Sequence, residues 1–367
     1  MPGLGPRLTT ALLERFGSAV AARNANIEEL RQVPHIGEKL SRDFTAALRT
    51  IDVDAELARI ERYGVHLRVL NSPDYPAILA TIPDPPHLLY VRGEITPADA
   101  KSVAIVGSRQ CTAYGKKMTE KLAGGLARAG FTVVSGLARG IDGAAHRGAL
   151  DAGGRTLAVL AGGLSSIYPP EHLDLSKEIE GRGALVTETP MVMEPQRGMF
   201  HARNRLISGL ARAVVVVEAN DRSGSLITAR HAAEQGREVF AVPANADSLT
   251  SKGSLQLLRN GARLIRDIDD LLEDLNGIAP IVAEPTLFDE KEPPTTAAPA
   301  AEKPVAEKPV MEPTPSRIWD LVTEPKHIDE IARELDISIV ELGRLLMMME
   351  MKKQIRRLPG NLYERRV

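Results

Sequence analysis

The chain has 367 residues, with 46 Lys and Arg against 48 Asp and Glu, giving a formal net charge of -2. That length exceeds one ordinary hydrophobic core, so two or three domains are expected. The near-neutral balance excludes a globally basic nucleic-acid or membrane-surface protein, so any polyanion site must be a local patch. A single cysteine, Cys111, excludes internal disulfides and a Cys-rich metal site and fits a reducing, cytoplasmic setting.

In chain order, the first segment is 1–65. Its opening, "MPGLGPRLTTALLERFG", lacks the basic-then-apolar order of a secretory signal. No run of about 18 apolar residues follows anywhere, so no membrane span is expected. The segment is patterned as helices, and "LRQVPHIGEKLSRDF" sets Pro34, His35, Ile36 and Gly37 between two helical runs. Two readings stand: a helix–hairpin–helix turn whose backbone N–H groups hold a phosphate, with His35 where glycine is usual, or a helical packing module for protein contact.

The body, 66–275, opens on the proline-rich "NSPDYPAILATIPDPPHLLYVRG" and then alternates strands with helices. "SVAIVG" (102–107), "FTVVSG" (131–136), "TLAVLAG" (156–162), "ALVTET" (184–189), "AVVVVEA" (213–219) and "EVFAVPA" (238–244) are short, almost wholly apolar runs. Such runs are strands covered on both faces. Between them, stretches such as "KKMTEKLAGGLARAG" and "SLITARHAAEQG" carry apolar residues at helical spacing and end on glycine. The order predicts an α/β fold, a doubly wound, mostly parallel sheet with right-handed crossovers.

The loops after the strands gather where such sheets bind ligands. They read Gly107-Ser108-Arg109, "SGLARGID" with Arg139, "AGGL", and "NDRSGS". Glycines let backbone N–H groups approach a ligand, helix N-termini favour anions, and Arg109 adds a cationic fork suited to phosphate. The stretch "EPQRGMFHARNRLISGLA" (194–211) places Arg197, Arg203 and Arg205 near Phe200 and His201. Arginines around one aromatic suit a single-stranded nucleic acid, whose backbone is neutralised while a base stacks. The alternative is that Phe200 caps the core and the arginines are solvated or paired with Glu188 and Glu194. Asp142 and His146, four apart, form an acid–base pair on one helix face or, as favoured, shape the loop at that helix's start.

From 276 to 315 the chain turns proline-rich and repeats AEKPV in tandem, the composition of a semi-extended, dispensable linker. The last segment, 316–367, has three helical runs followed by "QIRRLPGNLYERRV", two β-prone arms around a turn, which predicts a winged helix. Its recognition-helix candidate carries Glu341 and Glu350 beside Arg344, and its Met347-Met348-Met349 run reads as core. Major-groove readers present donors there, so the expectation is partner docking, with Arg356, Arg357, Arg365 and Arg366 as a secondary DNA contact.

"VAIVGSRQCTAYG", "VVSGLARGIDGAAHRGAL", "LAVLAGGL" with "IYPPEH", "FHARNRLISGLA", "VVVVEA" with "SGSLITA", and "GREVFAVP" stand in the order and near the spacing of the DNA-processing protein A (DprA/Smf) family. The chain resembles that family over nearly the whole body. The resemblance implies an extended Rossmann-like domain, a sterile-alpha-motif-like N-terminal unit, and a C-terminal winged helix. It implies a protein that binds and protects single-stranded DNA without cutting it, and loads the RecA recombinase in natural transformation. It also implies a homodimer formed through the Rossmann-like domain, with no cofactor. Arg109, Arg197 and Phe200 are the positions it implies for DNA contact, and Gly107, Ser108, Arg139, Arg203 and Arg205 complete the candidate set. Arg197 stands where some relatives carry lysine, and Ser165 where many carry an acid.

The alternative is a Rossmann-type nucleotide sensor, or a nucleotide hydrolase related to the phosphoribohydrolases. Those enzymes carry a PGGxGTxxE element, and the corresponding "NDRSGSLITA" has no glutamate at the matching place. The loop GSRQCT is not the GxGxxG of a dinucleotide dehydrogenase either, and no metal-ligand cluster is visible.

Overall fold

The computed structural model describes residues 5–277 together with parts of 318–365. It divides into two compact units, 1–289 and 290–367. The first unit begins with five helices: α1 (Pro6–Phe16), α2 (Ala19–Asn24), α3 (Ile27–Arg31), α4 (Glu38–Thr50) and α5 (Val53–Arg62). Their boundaries are written in local chemistry. Pro6 opens α1, Ser18 caps α2, Asn26 and Glu29 form a capping box on α3, and Asp52 caps α5. Leu12, Leu30, Val33, Ile36 and Phe44 close a small core between them. His35 has φ 67, the left-handed conformation that a glycine would supply at no cost in this hairpin. Glu56 on α5 accepts a hydrogen bond from Met191 N at 2.8 Å, tying these helices to the sheet domain.

The sheet domain runs β1 (Val65–Val69), α6 (Ala77–Ala80), β2 (Leu88–Gly93), β3 (Ser102–Val106), α7 (Ala113–Arg128), β4 (Thr132–Ser135) and α8 (Ile141–Asp151). It continues with β5 (Thr156–Val159), α9 (Leu173–Arg182), β6 (Ala184–Thr187), α10 (Arg197–Gly209), β7 (Ala213–Val216) and α11 (Ser225–Glu234). β8 (Glu238–Ala241), α12 (Lys252–Arg259), β9 (Arg263–Leu264) and α13 (Ile268–Asn276) complete it. Among the described residues these strands form one nine-stranded sheet in the order β1-β2-β6-β5-β4-β3-β7-β8-β9.

The mostly parallel sheet read from the six apolar runs, β3 to β8, is present, and three strands, β1, β2 and β9, are added to it. β1 pairs antiparallel with β2, and β2 antiparallel with β6, while β6 through β9 are parallel. The segment between β1 and β2 makes no long helical crossover, so the two strands meet as an antiparallel pair at the sheet's edge. Within each central strand, side chains alternate between two layers. Ala104, Val106, Val214 and Val216 pack under α6, α10 and α11, while Val103, Ile105 and Val215 pack under α7, α8 and α13. The paired strands are shorter than the apolar runs. Leu160, Val217 and Val242 remain buried beyond the ladders, where the chain has already turned into the loops of the carboxyl edge.

The second unit carries a winged helix. Strands β10 (Lys326–His327), β11 (Ile355–Leu358) and β12 (Leu362–Arg365) form a sheet in the order β10-β12-β11, with Leu358 opposite Leu362 at the tip of the wing. Ile318, Val322, Leu342, Leu346, Met349, Ile355 and Tyr363 make its core, with Ile331 from the helix Ile328–Leu335. Met349 is therefore core as read. Arg356 pairs with Glu364 across the wing, so one of the four candidate wing cations is internally balanced. Glu341, Arg344 and Glu350, the side chains of the other wing arginines and nearly all of the 276–315 linker lie outside the described residues.

Candidate nucleic-acid interface

Strand order reverses between β3 and β7, and the loops at their carboxyl ends part to leave a cleft with about 1400 Å³ of empty space, open to solvent. Its walls are the loop after β3, the loop after β4, one face of α10, and the Asn220–Ser225 loop before α11.

The loop after β3 is held in shape by its neighbours. A side chain on Gly107 would place its Cβ 2.6 Å from Ile141 Cγ1, so only glycine lets α8 approach this closely. Ser108 N donates to Glu218 O at 2.6 Å, Ser108 O accepts from Ile141 N at 3.1 Å, and Ser108 Oγ accepts from Gln110 N at 3.1 Å. These bonds occupy the turn's own polar groups and leave Arg109 exposed, its guanidinium 5.0 Å from the centroid of the Phe200 ring.

The next helix start is not an open anion site. Glu218 is 3% exposed, and its carboxylate accepts from Thr112 N at 3.1 Å and Thr112 Oγ1 at 2.8 Å, over the first turn of α7. Gly115 leaves the room that this carboxylate fills. In a dinucleotide-binding fold that position faces the pyrophosphate; here the protein's own carboxylate complements the helix dipole. Sequence reading passed over Glu218 as the end of the apolar run "AVVVVEA". A single acid at the carboxyl end of a buried strand was the available signal.

The loop after β4 is the most constrained part of the cleft. Leu137 is fully buried with φ 55, a conformation costly for a branched side chain. Asp142 accepts from Gly136 N at 3.2 Å, and His146 Nε2 accepts from Leu137 N at 3.3 Å. Thr156 Oγ1 donates to Val133 O at 2.7 Å, so His146 Nδ1–H donates to Thr156 Oγ1 at 2.7 Å and the histidine is the Nδ1–H tautomer. Burial pushes His146 down to about 3, which keeps it neutral and able to accept. His172 Nδ1 lies 2.9 Å from Leu137 O and donates to it. Asp142 and His146 thus shape this loop, as favoured from sequence. Burial raises the Asp142 carboxyl, and nearby Arg203 opposes the shift.

Helical spacing sorts the arginines of α10. Arg197 is exposed at its first position, Phe200 is half-buried one turn on, and Arg203 is 4% exposed. Arg203 donates from Nη1 to Gly136 O at 2.7 Å and to Val159 O, clamping the ends of β4 and β5. Burial lowers it to about 10, still a cation at neutral pH. Arg205 projects to another side of the helix. There it donates to Asp84 O at 2.6 Å and pairs with Glu188 and Asp84, in a separate pocket with His201 and His231. The pairing with Glu188 weighed from sequence is thus realised for Arg205. Gly107, Ser108, Arg109, Arg139, Phe200 and Arg203 line one cleft, Arg197 stands exposed at the head of α10, and Arg205 is elsewhere. Arg139 is exposed and paired with Glu171.

These features define an α/β protein of Rossmann-like architecture that carries a winged helix as a separate unit. The DNA recombination-mediator protein A family model matches residues 66–276, a DprA winged helix domain matches 292–361, and a SAM-like helix-hairpin-helix tandem matches 1–50. The chain belongs to the DNA recombination-mediator protein A family. It is 35% identical to protein Smf of Synechocystis over 382 residues, covering 99% of this chain and 96% of that protein. It is 42% identical to the DNA processing protein DprA of Bacillus subtilis over 220 residues, covering 60% of this chain and 74% of that protein. Among solved structures it is similar to DNA processing protein A of Streptococcus pneumoniae, with a TM-score of 0.65 and 35% identity, covering 74% of this chain and 94% of that one. It is also similar to DNA processing protein A of Helicobacter pylori, a structure described for its single-stranded DNA binding mode, with a TM-score of 0.53 and 32% identity, covering 58% of this chain and 96% of that one.

Proposed function

We propose that this chain binds single-stranded DNA at the carboxyl edge of its sheet, shields it without cutting it, and passes it to the RecA recombinase in natural transformation, acting as a homodimer joined through the sheet domain. The observation that carries the reading is the exposed Arg109 set against the half-buried Phe200 ring at the strand-order switch, beside a helix start already filled by Glu218. A cation and a ring side by side suit a phosphodiester and its unstacked base. A filled helix start leaves no ready seat for a dinucleotide's pyrophosphate. Family membership and the single-stranded DNA binding of the Helicobacter pylori relative support the same reading.

Fluorescence anisotropy with one labelled oligonucleotide, single-stranded and then annealed, tests it. Tight binding of the single strand, weaker binding of the duplex, an intact oligonucleotide afterwards and no displacement by mononucleotides are expected. Displacement by a mononucleotide, or release of base from it, would turn the reading toward a nucleotide sensor or hydrolase. Light scattering reports the dimer, and recombinase filament assembly on the bound strand reports loading.

A further inference from the structure

The chain holds six Phe, six Tyr and one Trp, and two of these rings stand side by side at the ligand-binding edge. Tyr168, in the loop after β5, is 43% exposed and meets Phe200 edge to face, with ring centroids 5.9 Å apart and planes at 62°. Arg109 lies against the Phe200 ring, its guanidinium 5.0 Å from the ring centroid. Arg139 lines the same pocket as Tyr168, and its charge is favoured first by Glu171 and further by Tyr168. Two exposed cations and two rings thus border one pocket. The Arg139–Glu171 pair is exposed on both sides, so it is weak and readily exchanged for a phosphate.

We infer that Tyr168 is a second base platform: a strand crossing the cleft lays one base on Phe200 and the adjacent base on Tyr168, with its phosphates at Arg109 and Arg139. Successive nucleotides in a stacked strand advance about 3.4 Å. Rings 5.9 Å apart and tilted at 62° therefore do not extend one continuous stack. A strand that uses both is splayed between them, which a paired duplex cannot do. The inference rests on the single-stranded DNA reading and deepens it by naming the footprint: two adjacent unpaired nucleotides of any sequence, because every base has a π face.

The test measures anisotropy of a labelled thymidine oligonucleotide on the full chain, with circular dichroism confirming that each variant is folded. Tyr168→Phe keeps the ring and binds like the parent. Tyr168→Leu keeps an apolar side chain against the Phe200 edge but removes the ring face, and weakens binding by about fivefold to a hundredfold, the range for one lost base–aromatic contact. The weakening persists in a Phe200→Ala background, because the second base has its own platform. A residue that only props Phe200 loses its effect in that background, and this result overturns the inference. So does Tyr168→Leu binding like the parent while Phe200→Ala is weakened, an outcome that leaves the single-stranded DNA reading standing. Failure of the parent itself to bind the oligonucleotide overturns both.

Discussion

The floor and the rim of the cleft use the same kinds of residue to opposite ends. On the floor, Arg203, Asp142 and His146 are buried, and each hydrogen-bonds backbone groups of the loops after β4 and β5. On the rim, Arg109 and Arg197 are exposed, and Phe200 is half-buried. Arg197 and Arg203 are both arginines on one helix, yet the first offers its charge outward and the second turns it into a clamp on two carbonyls. The comparison teaches that a cation near a ligand site is a binding residue only where the protein has left it unspent.

The largest effect falls on the floor. Arg203→Ala strands the carbonyls of Gly136 and Val159 and removes the cation that favours the Asp142 carboxylate. The expected cost is about 3–5 kcal/mol of stability, measured by urea unfolding. Arg203→Lys, which keeps charge but not the fork, recovers only part of it. A variant as stable as the parent would move Arg203 from the floor to the rim.

A pH series sharpens the same contrast. His146 stays neutral in the folded chain down to about 3, whereas an unfolded histidine titrates near 6.5. Between those values the unfolded chain binds more protons, so this group's contribution is full above pH 6.5 and declines as pH falls. The loss is about 1.4 kcal/mol per unit, or about 2 kcal/mol between pH 6.5 and 5. His146→Gln keeps an acceptor for Leu137 N but cannot titrate, so its stability changes less over that interval. Equal slopes for parent and variant in urea titrations at both pH values would remove His146 from the floor's account.

Much of this was legible in the sequence, and the rest was hidden for physical reasons. The six central strands announced themselves because burial on both faces makes them continuous apolar runs, and the glycines after them marked the ligand edge. β1 and β2 were missed because they carry polar residues such as His66, Arg68 and Arg92 and flank a proline-rich stretch that reads as turn. Helical spacing separated Arg205 from Phe200 in principle. The burial of Arg203, however, depends on carbonyls of Gly136 and Val159, more than forty residues upstream. Glu218 was hidden in an apolar run because its partners, Thr112 and the space left by Gly115, belong to another strand's loop.

On the rim, Phe200→Ala should leave stability nearly unchanged and weaken oligonucleotide binding by about 1–3 kcal/mol through lost base stacking. Because a ring releases no counterions, the dependence of log affinity on log salt should keep the parent's slope. A changed slope would mean that the truncation had displaced Arg109, and the rim would then behave as one coupled unit.

Arg109→Ala gives the smallest and most diagnostic change. It removes one phosphate contact, so affinity should fall for every sequence and the salt slope should shrink by about 0.7 for a single strand. Two opposing terms keep the loss modest. The phosphate contact disappears, but the Phe200 face on which Arg109 rests in the free protein is uncovered and no longer has to be vacated before a base stacks. The opposition depends on salt. At low salt the lost phosphate contact dominates and the variant binds more weakly. As salt screens that contact in the parent, the two binding curves converge. Anisotropy titrations across a salt series, run beside Phe200→Ala, read both slopes directly. Parallel lines for Arg109→Ala and the parent would mean that the guanidinium serves the ring and not a phosphate, and the rim would then have to find its cation at Arg197.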